Sequence, residues 1–365
     1  MHIQANLKGL DKVLIGSVMI LLIIGLITLF SASYQKQTDT GKNFVLSQII
    51  WIILGLFISF LLFRTNYHSF LSVAYIIYGI HIFFLILVLF MGKTVLGAQR
   101  WISFGGIGFQ PSEFSKIFTI LALARMIGDN PQRLKTIKGL VMPLLLAFIP
   151  IVLIFKQPDL GTAIIFVPIF LAMFWVAGIR VKYFLIAIIS AVMSLPVFWY
   201  FLKDYQRDRL MVFINPNLDP LGAGYTINQS KIAIGSGMML GKGWLAGTQN
   251  QLNFLPERHT DFVFSVVAEE GGFLTASLVL ILFLVLILRG IRIAELTNDI
   301  SGRLIVTGLT TMVALHVIIN IGMALGLMPV VGMPLPFISY GGSALISNFI
   351  AIGFMLNVGK QRTLF

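Results

Sequence analysis

Ten runs of apolar residues, many close to 20 long, leave this chain little to be except a membrane-spanning bundle. They occupy 13–30, 44–63, 70–91, 114–127, 139–155, 162–178, 183–202, 262–288, 304–325 and 344–358. About 20 apolar residues cross the hydrocarbon core as a helix. Lipid tolerates no unsatisfied backbone, so each run is expected to be helical. Only 11% of the 365 residues are charged and 58% are hydrophobic, against about 25% charged in a soluble domain. The expectation is an all-α integral membrane protein with ten transmembrane helices, forming one polytopic domain over 1–365 with no convincing internal repeat. There is no cysteine, hence no disulfide and no thiol ligand or nucleophile. Ser31-Ala32-Ser33 loosely resembles a signal-peptide cleavage site. The run before it is longer than a signal core, so an uncleaved span is expected.

The formal charge is +12. Its basic residues are scattered over loops rather than grouped on a polar domain, which argues against nucleic acid. Membrane orientation and anionic lipid-linked partners account for them better. With the N-terminus inside, short inner segments carry Lys8 and Lys12; Arg64; Arg125, Arg133, Lys135 and Lys138; Arg180 and Lys182; Arg289, Arg292 and Arg303; Lys360 and Arg362. Both termini are thus expected in the cytoplasm. One long extracytoplasmic loop, 203–260, separates the seventh and eighth spans.

Glycines, prolines and charges gather on the outer side, in 97–103 leading to 110–116, in 156–162, within 203–260 and in 334–343. A transporter working by alternating access would place its polar groups near the midplane, often in broken helices. Polar groups at one surface point to binding or chemistry there. The densest cluster is Leu255-Pro256-Glu257-Arg258-His259-Thr260-Asp261, which runs directly into the eighth apolar run. An acid at the mouth of a membrane helix is costly to place. Asp261 is read as a catalytic base. The alternative is that Thr260 caps the helix and Asp261 complements its dipole.

At these segments the chain resembles the SEDS family (shape, elongation, division and sporulation), and within it the elongation branch, RodA. The motifs that carry the resemblance are 97–101, 110–116, 157–162, 229–237, 255–262 and 334–343. Arg258 and the stretch 219–225 match the elongation branch. Met238 departs where glycine is usual, and Gly271 where leucine is common. The resemblance implies a peptidoglycan glycosyltransferase of the bacterial cytoplasmic (inner) membrane, its active site facing outward. Such an enzyme polymerises lipid II with release of undecaprenyl pyrophosphate, for elongation and rod shape. The implied partners are a class B penicillin-binding protein, the transpeptidase, and other elongation-complex proteins.

For that reaction Asp261 would take the proton of the attacking sugar hydroxyl, and cations would meet the departing pyrophosphate. Glu113 and Lys116 share one helical face: Lys116 meets phosphate while Glu113 orients it or helps hold a cation, or the two form a surface ion pair. Arg100 is a pyrophosphate contact or a snorkelling anchor beside Trp101. Lys231 and Arg258 are further phosphate candidates or solvated charges. Asp159 is a substrate residue or the cap of the sixth span. His259 is expected to be a hydrogen-bonding partner, and His316 and Asn320 to bond between helices. Ser265 and Glu269 share the face of Asp261 while Glu270 points elsewhere; they form a polar groove running inward, or the two acids are paired within the bundle. Acids beside a pyrophosphate suit Mg²⁺ or Mn²⁺, for which the sequence supplies no ligand set. The main alternatives are a lipid II flippase and a scaffold for the transpeptidase. Neither needs Asp261 as a base.

Overall fold

In the computed structural model the apolar runs become helices that order the bundle by how much polar chemistry each carries. The structure describes residues 11–361 except 41–42, 96–97, 105–106 and 221. Lys8, Gly97, Leu221 and Arg362, used in the reading above, lie outside the described residues. The helices are α1 (Lys12–Thr40), α2 (Phe44–Arg64), α3 (Tyr67–Ser72), α4 (Ala74–Met91), α5 (Pro111–Asp129), α6 (Ile137–Lys156), α7 (Leu160–Val176), α8 (Val181–Phe201), α9 (Asp204–Ile214), α10 (Ala223–Ser236), α11 (Thr248–Gln251), α12 (Val263–Leu296), α13 (Ile300–Ala324) and α14 (Gly342–Gln361). Seven of them, α1, α2, α4, α6, α12, α13 and α14, are long and apolar enough to cross a membrane.

The sheet corrects the all-α expectation. Strands β1 (Lys93–Val95), β2 (Ala98–Phe104) and β3 (Ile107–Phe109) form an antiparallel sheet between α4 and α5. Arg100, Trp101, Ile102, Ser103 and Phe104 mix β-branched, aromatic and alternating polar residues, and Gly105-Gly106 separates β2 from β3. That is a hairpin signal, here overshadowed by the spans on either side. Two further differences concern continuity. The third apolar run is divided at Val73 between α3 and α4. The segment 203–260, expected as one long outer loop, carries three helices, α9, α10 and α11.

α5, α13 and α14 lie at the centre, buried along most of their lengths. α2, α4 and α6 form the wall, exposing residues such as Ile53, Ile76 and Phe148. Lipid is as apolar as leucine, so close packing rather than burial from water holds such helices together. At Gly55 a Cβ would fall 2.1 Å from the Phe349 ring. Only glycine allows α2 and α14 to meet there.

Arg64, Arg125, Arg289, Arg303 and Lys360 make their contacts close to helix ends. Arg289 pairs with Asp11 at 2.6 Å. Arg125 Nη1 donates to Leu71 O at 2.8 Å, and Asn357 Nδ2 donates to Leu62 O and Thr65 O. Arg303 Nε donates to Thr297 O at 3.1 Å.

Helix α12 is interrupted. Gly272 has φ +69° and ψ −170°, and a Cβ there would lie 2.2 Å from Gly241 N. The outer loop inserts into the broken helical ladder. Lys242 N and Gly243 N donate to Glu269 O (3.0 Å) and Glu270 O (3.1 Å), while Phe273 N and Leu274 N donate to Met238 O (2.8 Å) and Met239 O (3.3 Å). A helix can break beside lipid only if its freed backbone groups find such partners. The carboxylates complete the junction. Glu269 accepts from Lys242 Nζ at 2.8 Å and from Gln249 N at 3.0 Å. Glu270 accepts from Ser31 Oγ at 2.5 Å and Asn250 Nδ2 at 3.0 Å. Both acids therefore find partners inside the protein. Ser265 instead bonds Ser230 Oγ at 2.7 Å.

Candidate active site

The turn 255–262 is folded around one carbonyl. Glu257 adopts φ +47°, which lets its C=O accept from the N–H groups of Thr260 (3.1 Å), Asp261 (3.0 Å) and Phe262 (3.3 Å). Three successive carbonyls, those of His259, Thr260 and Asp261, are then clamped by the bundle. Tyr340 N donates to His259 O at 3.0 Å, Ser339 Oγ to Thr260 O at 2.5 Å, and Asn320 Nδ2 to Asp261 O at 2.8 Å. Asn320 also holds Met333 O at 2.6 Å, and Gln48 Nε2 holds Ser339 O at 3.1 Å. Arg258 is buried and donates through Nε to Ala32 O at 2.9 Å. His259 packs its ring against Phe44 and Tyr340.

The result is a half-buried carboxylate, Asp261, on a fixed backbone. The α12 N-cap position is Phe262, without a side-chain cap bond, and Thr260 Oγ1 bonds Glu257 instead. Among the described residues no hydrogen bond or ion pair engages the Asp261 carboxylate. Beside it Gly332 has φ +71°, and a Cβ there would lie 3.2 Å from Asp261 Oδ2. Desolvation pushes the Asp261 carboxyl up to about 6, and Glu257 adds to the rise, while Arg209 and Arg100 pull the other way. An acid tuned toward neutrality can act as a base near pH 7.

Two arginines supply the positive field. Arg100, on β2, donates through Nη2 to Pro158 O at 3.0 Å and lies 3.6 Å from Asp159. Asp159 caps α7 by accepting from Thr162 N at 3.2 Å, as the capping alternative had it, and also lies 3.5 Å from Gln110 Nε2. Arg209, on α9, donates through Nη1 to Val330 O at 3.2 Å. Arg100 and Arg209 line one small cleft of about 20 Å³ with Gln206 and Val331. Reading the sequence missed Arg209. It sits in Gln206-Arg207-Asp208-Arg209, a mixed-charge stretch of a long loop that reads as solvated.

A second polar cluster lies deeper, between α5 and α13. Lys116 Nζ is 2.9 Å from Glu113 Oε2 and 2.9 Å from His316 Nε2. His316 Nδ1 is 2.7 Å from Met312 O. A carbonyl only accepts, so Nδ1 carries the proton and Nε2 accepts from the ammonium. That arrangement uses two of the three N–H donors of Lys116. Its side chain is 1% exposed, so this is not the surface pair of the simpler reading. His316 and Asn320 are one turn apart on α13, which links the lysine cluster to the Asp261 turn.

Arg258 and Lys231 are not among the charges that act on Asp261. Arg258 fastens the turn to α1. Lys231 is exposed on α10, with its stem over Gly326. Among the described residues no group of three or more His, Asp or Glu side chains gathers as a metal site. Glu113 and Asp159 are already matched by Lys116 and Arg100. The Mg²⁺ or Mn²⁺ expectation therefore finds no preformed ligand set.

Comparison with known proteins finds relatives over nearly the whole chain. A family model described as "Cell cycle protein", covering FtsW, RodA and SpoVE, matches residues 11–364. The peptidoglycan glycosyltransferase MrdB of Escherichia coli K12 is 40% identical over 353 residues, covering 96% of this chain and 95% of its own. A chain solved in work on the structural coordination of polymerization and crosslinking by a peptidoglycan synthase complex superposes with a TM-score of 0.82 at 32% identity, covering 97% and 98% of the two chains. The rod shape determining protein RodA of Thermus thermophilus superposes with a TM-score of 0.71 at 28% identity, covering 97% of each.

Proposed function

The chain belongs to the cell cycle protein family of FtsW, RodA and SpoVE, and from that premise we propose that it is a peptidoglycan glycosyltransferase of the elongation type, polymerising lipid II. The observation that carries the reading is the Asp261 carboxylate, without a hydrogen-bond or ion-pair partner among the described residues, on a backbone clamped at three successive carbonyls. In the proposed step the acceptor hydroxyl gives its proton to Asp261 as its oxygen bonds the donor's anomeric carbon. The bond from that carbon to the pyrophosphate oxygen breaks, and the electron pair leaves with undecaprenyl pyrophosphate. Arg100 and Arg209 stand where that charge develops. Lys116 keeps one N–H for a phosphate oxygen, and reaching it requires the outer ends of α5 and α13 to part. Glu113 orients the ammonium, Asp159 orients Arg100, and Arg258 fixes the turn. Lys231, at the rim of the outer loop, is proposed as a more distant phosphate contact.

The full topology belongs to the same proposal. Ten spans are proposed, adding α5, α7 and α8 to the seven apolar helices. The basic helix ends face the cytoplasm of a bacterial inner membrane, and 203–260 lies outside. The relative in a synthase complex makes a crosslinking transpeptidase of the class B penicillin-binding type the expected partner.

Purified protein given lipid II in detergent should make glycan strands. A flippase or a scaffold makes none, because detergent removes sidedness. Asn320→Ala tests the clamp. Releasing the Asp261 carbonyl should lower the polymerisation rate by about 10²-fold, the cost of a misplacement near 1 Å, while lipid II binding changes little. An unchanged rate would show that the clamp does not position Asp261.

A further inference from the structure

We propose that Met238, Met239, Leu240 and Trp244 insert into the leaflet at the active-site end of the bundle, anchoring the outer loop in lipid. These side chains are 77%, 59%, 77% and 58% exposed. Four large apolar residues in a seven-residue stretch are an exposed patch that calls for an occupant.

Three observations choose lipid over water or protein. First, the patch continues the wall of the bundle. Met238 and Met239 bond the backbone of Phe273 and Leu274, which are 61% and 54% exposed and begin the outward-facing part of α12. Trp244 packs 5.5 Å from Phe30 on α1 and donates through Nε1 to Ile27 O, and Ile27 is 51% exposed. Second, the stretch is tied back to the bundle through its backbone. The carbonyls of Met238 and Met239 and the N–H groups of Gly241, Lys242 and Gly243 have partners, which leaves fewer polar groups to satisfy in lipid. Third, Lys242, the one charge in the stretch, turns inward to Glu269 at 2.8 Å. The outward side of the stretch is thereby left without a charge. Tryptophan at the headgroup level suits the position of Trp244, and methionine adapts to disordered chains.

The anchored segment leads through the Glu269–Glu270 junction directly into the turn 255–262. On the glycosyltransferase reading, it would fix the height of Asp261 above the headgroups in which a lipid-linked pyrophosphate sits. Insertion itself does not depend on that reading.

The absence of cysteine permits single-site spin labels without background. Leu240→Cys and Met238→Cys would be labelled with nitroxide and reconstituted in bilayers of phosphatidylethanolamine and phosphatidylglycerol. Leu278→Cys on α12 is the lipid reference, and Asn217→Cys in the outer loop the aqueous one. Collision with oxygen should exceed collision with a nickel chelate at 240 and 238, as at 278. Nickel accessibility at both sites matching that at 217 would overturn the proposal. With no partner protein present, that outcome would leave the patch to a protein. The two positions provide independent probes should one variant fold poorly.

Discussion

Asp261→Asn is expected to abolish strand synthesis while leaving the protein as stable as its parent, or more so. A positioned base contributes about 10²–10⁴-fold, so the loss should be at least of that order. The stability half follows from linkage. The folded-state carboxyl is raised from 3.8 to about 6, so the stability it contributes is fully present below 3.8 and is lost as pH rises through 6. At neutral pH the ionised group is a net cost to the fold, and the neutral amide removes that cost. An inactive variant with an undiminished melting temperature is the expected pair of results. Inactivity together with a large drop in melting temperature would mean that Asp261 supports the fold instead.

Lys116→Met should produce the largest stability change in the molecule. Its ammonium, 1% exposed, sits between Glu113 and His316. Removing it strands a carboxylate and an imidazole nitrogen inside the bundle. Breaking a buried pair on one side costs about 3–5 kcal/mol. Glu113→Gln with Lys116→Met removes both charges and should recover most of the lost thermal stability. Lipid II affinity should stay weakened in the double variant, because the free N–H is gone. A double variant that binds lipid II like the parent would withdraw Lys116 from the substrate and leave it a brace between α5 and α13.

Much of the scaffold was legible in the sequence because membrane helices carry their signal locally. Nine of the ten apolar runs fall within a single helix, to within a residue or two at the ends, and 70–91 is divided at Val73. Asp261, Arg100, Asp159, Glu113 and Lys116 stood out as charges next to apolar runs. What stayed hidden depends on distant residues. The strand run at 93–109 is short and lies between two strong helix signals. Gly271-Gly272 inside an apolar run reads as a tolerated flaw, yet the break at Gly272 is held open by 238–243, a segment about 30 residues earlier. Arg209 reads as solvated until α9 is folded over Val330. Asn320 could be read as an interhelical bonding residue, but only the fold shows that it grips the carbonyl of Asp261.

The proton-accepting role of Asp261 is tested most directly by the pH dependence of kcat/KM for lipid II polymerisation in detergent. The carboxyl must be ionised to accept a proton, so the rate should fall on the acid side of about pH 6 and level off above it. Residual activity in Asp261→Asn should lack that step. A profile without an acid limb near 6, or the same limb persisting in Asp261→Asn, would contradict the account.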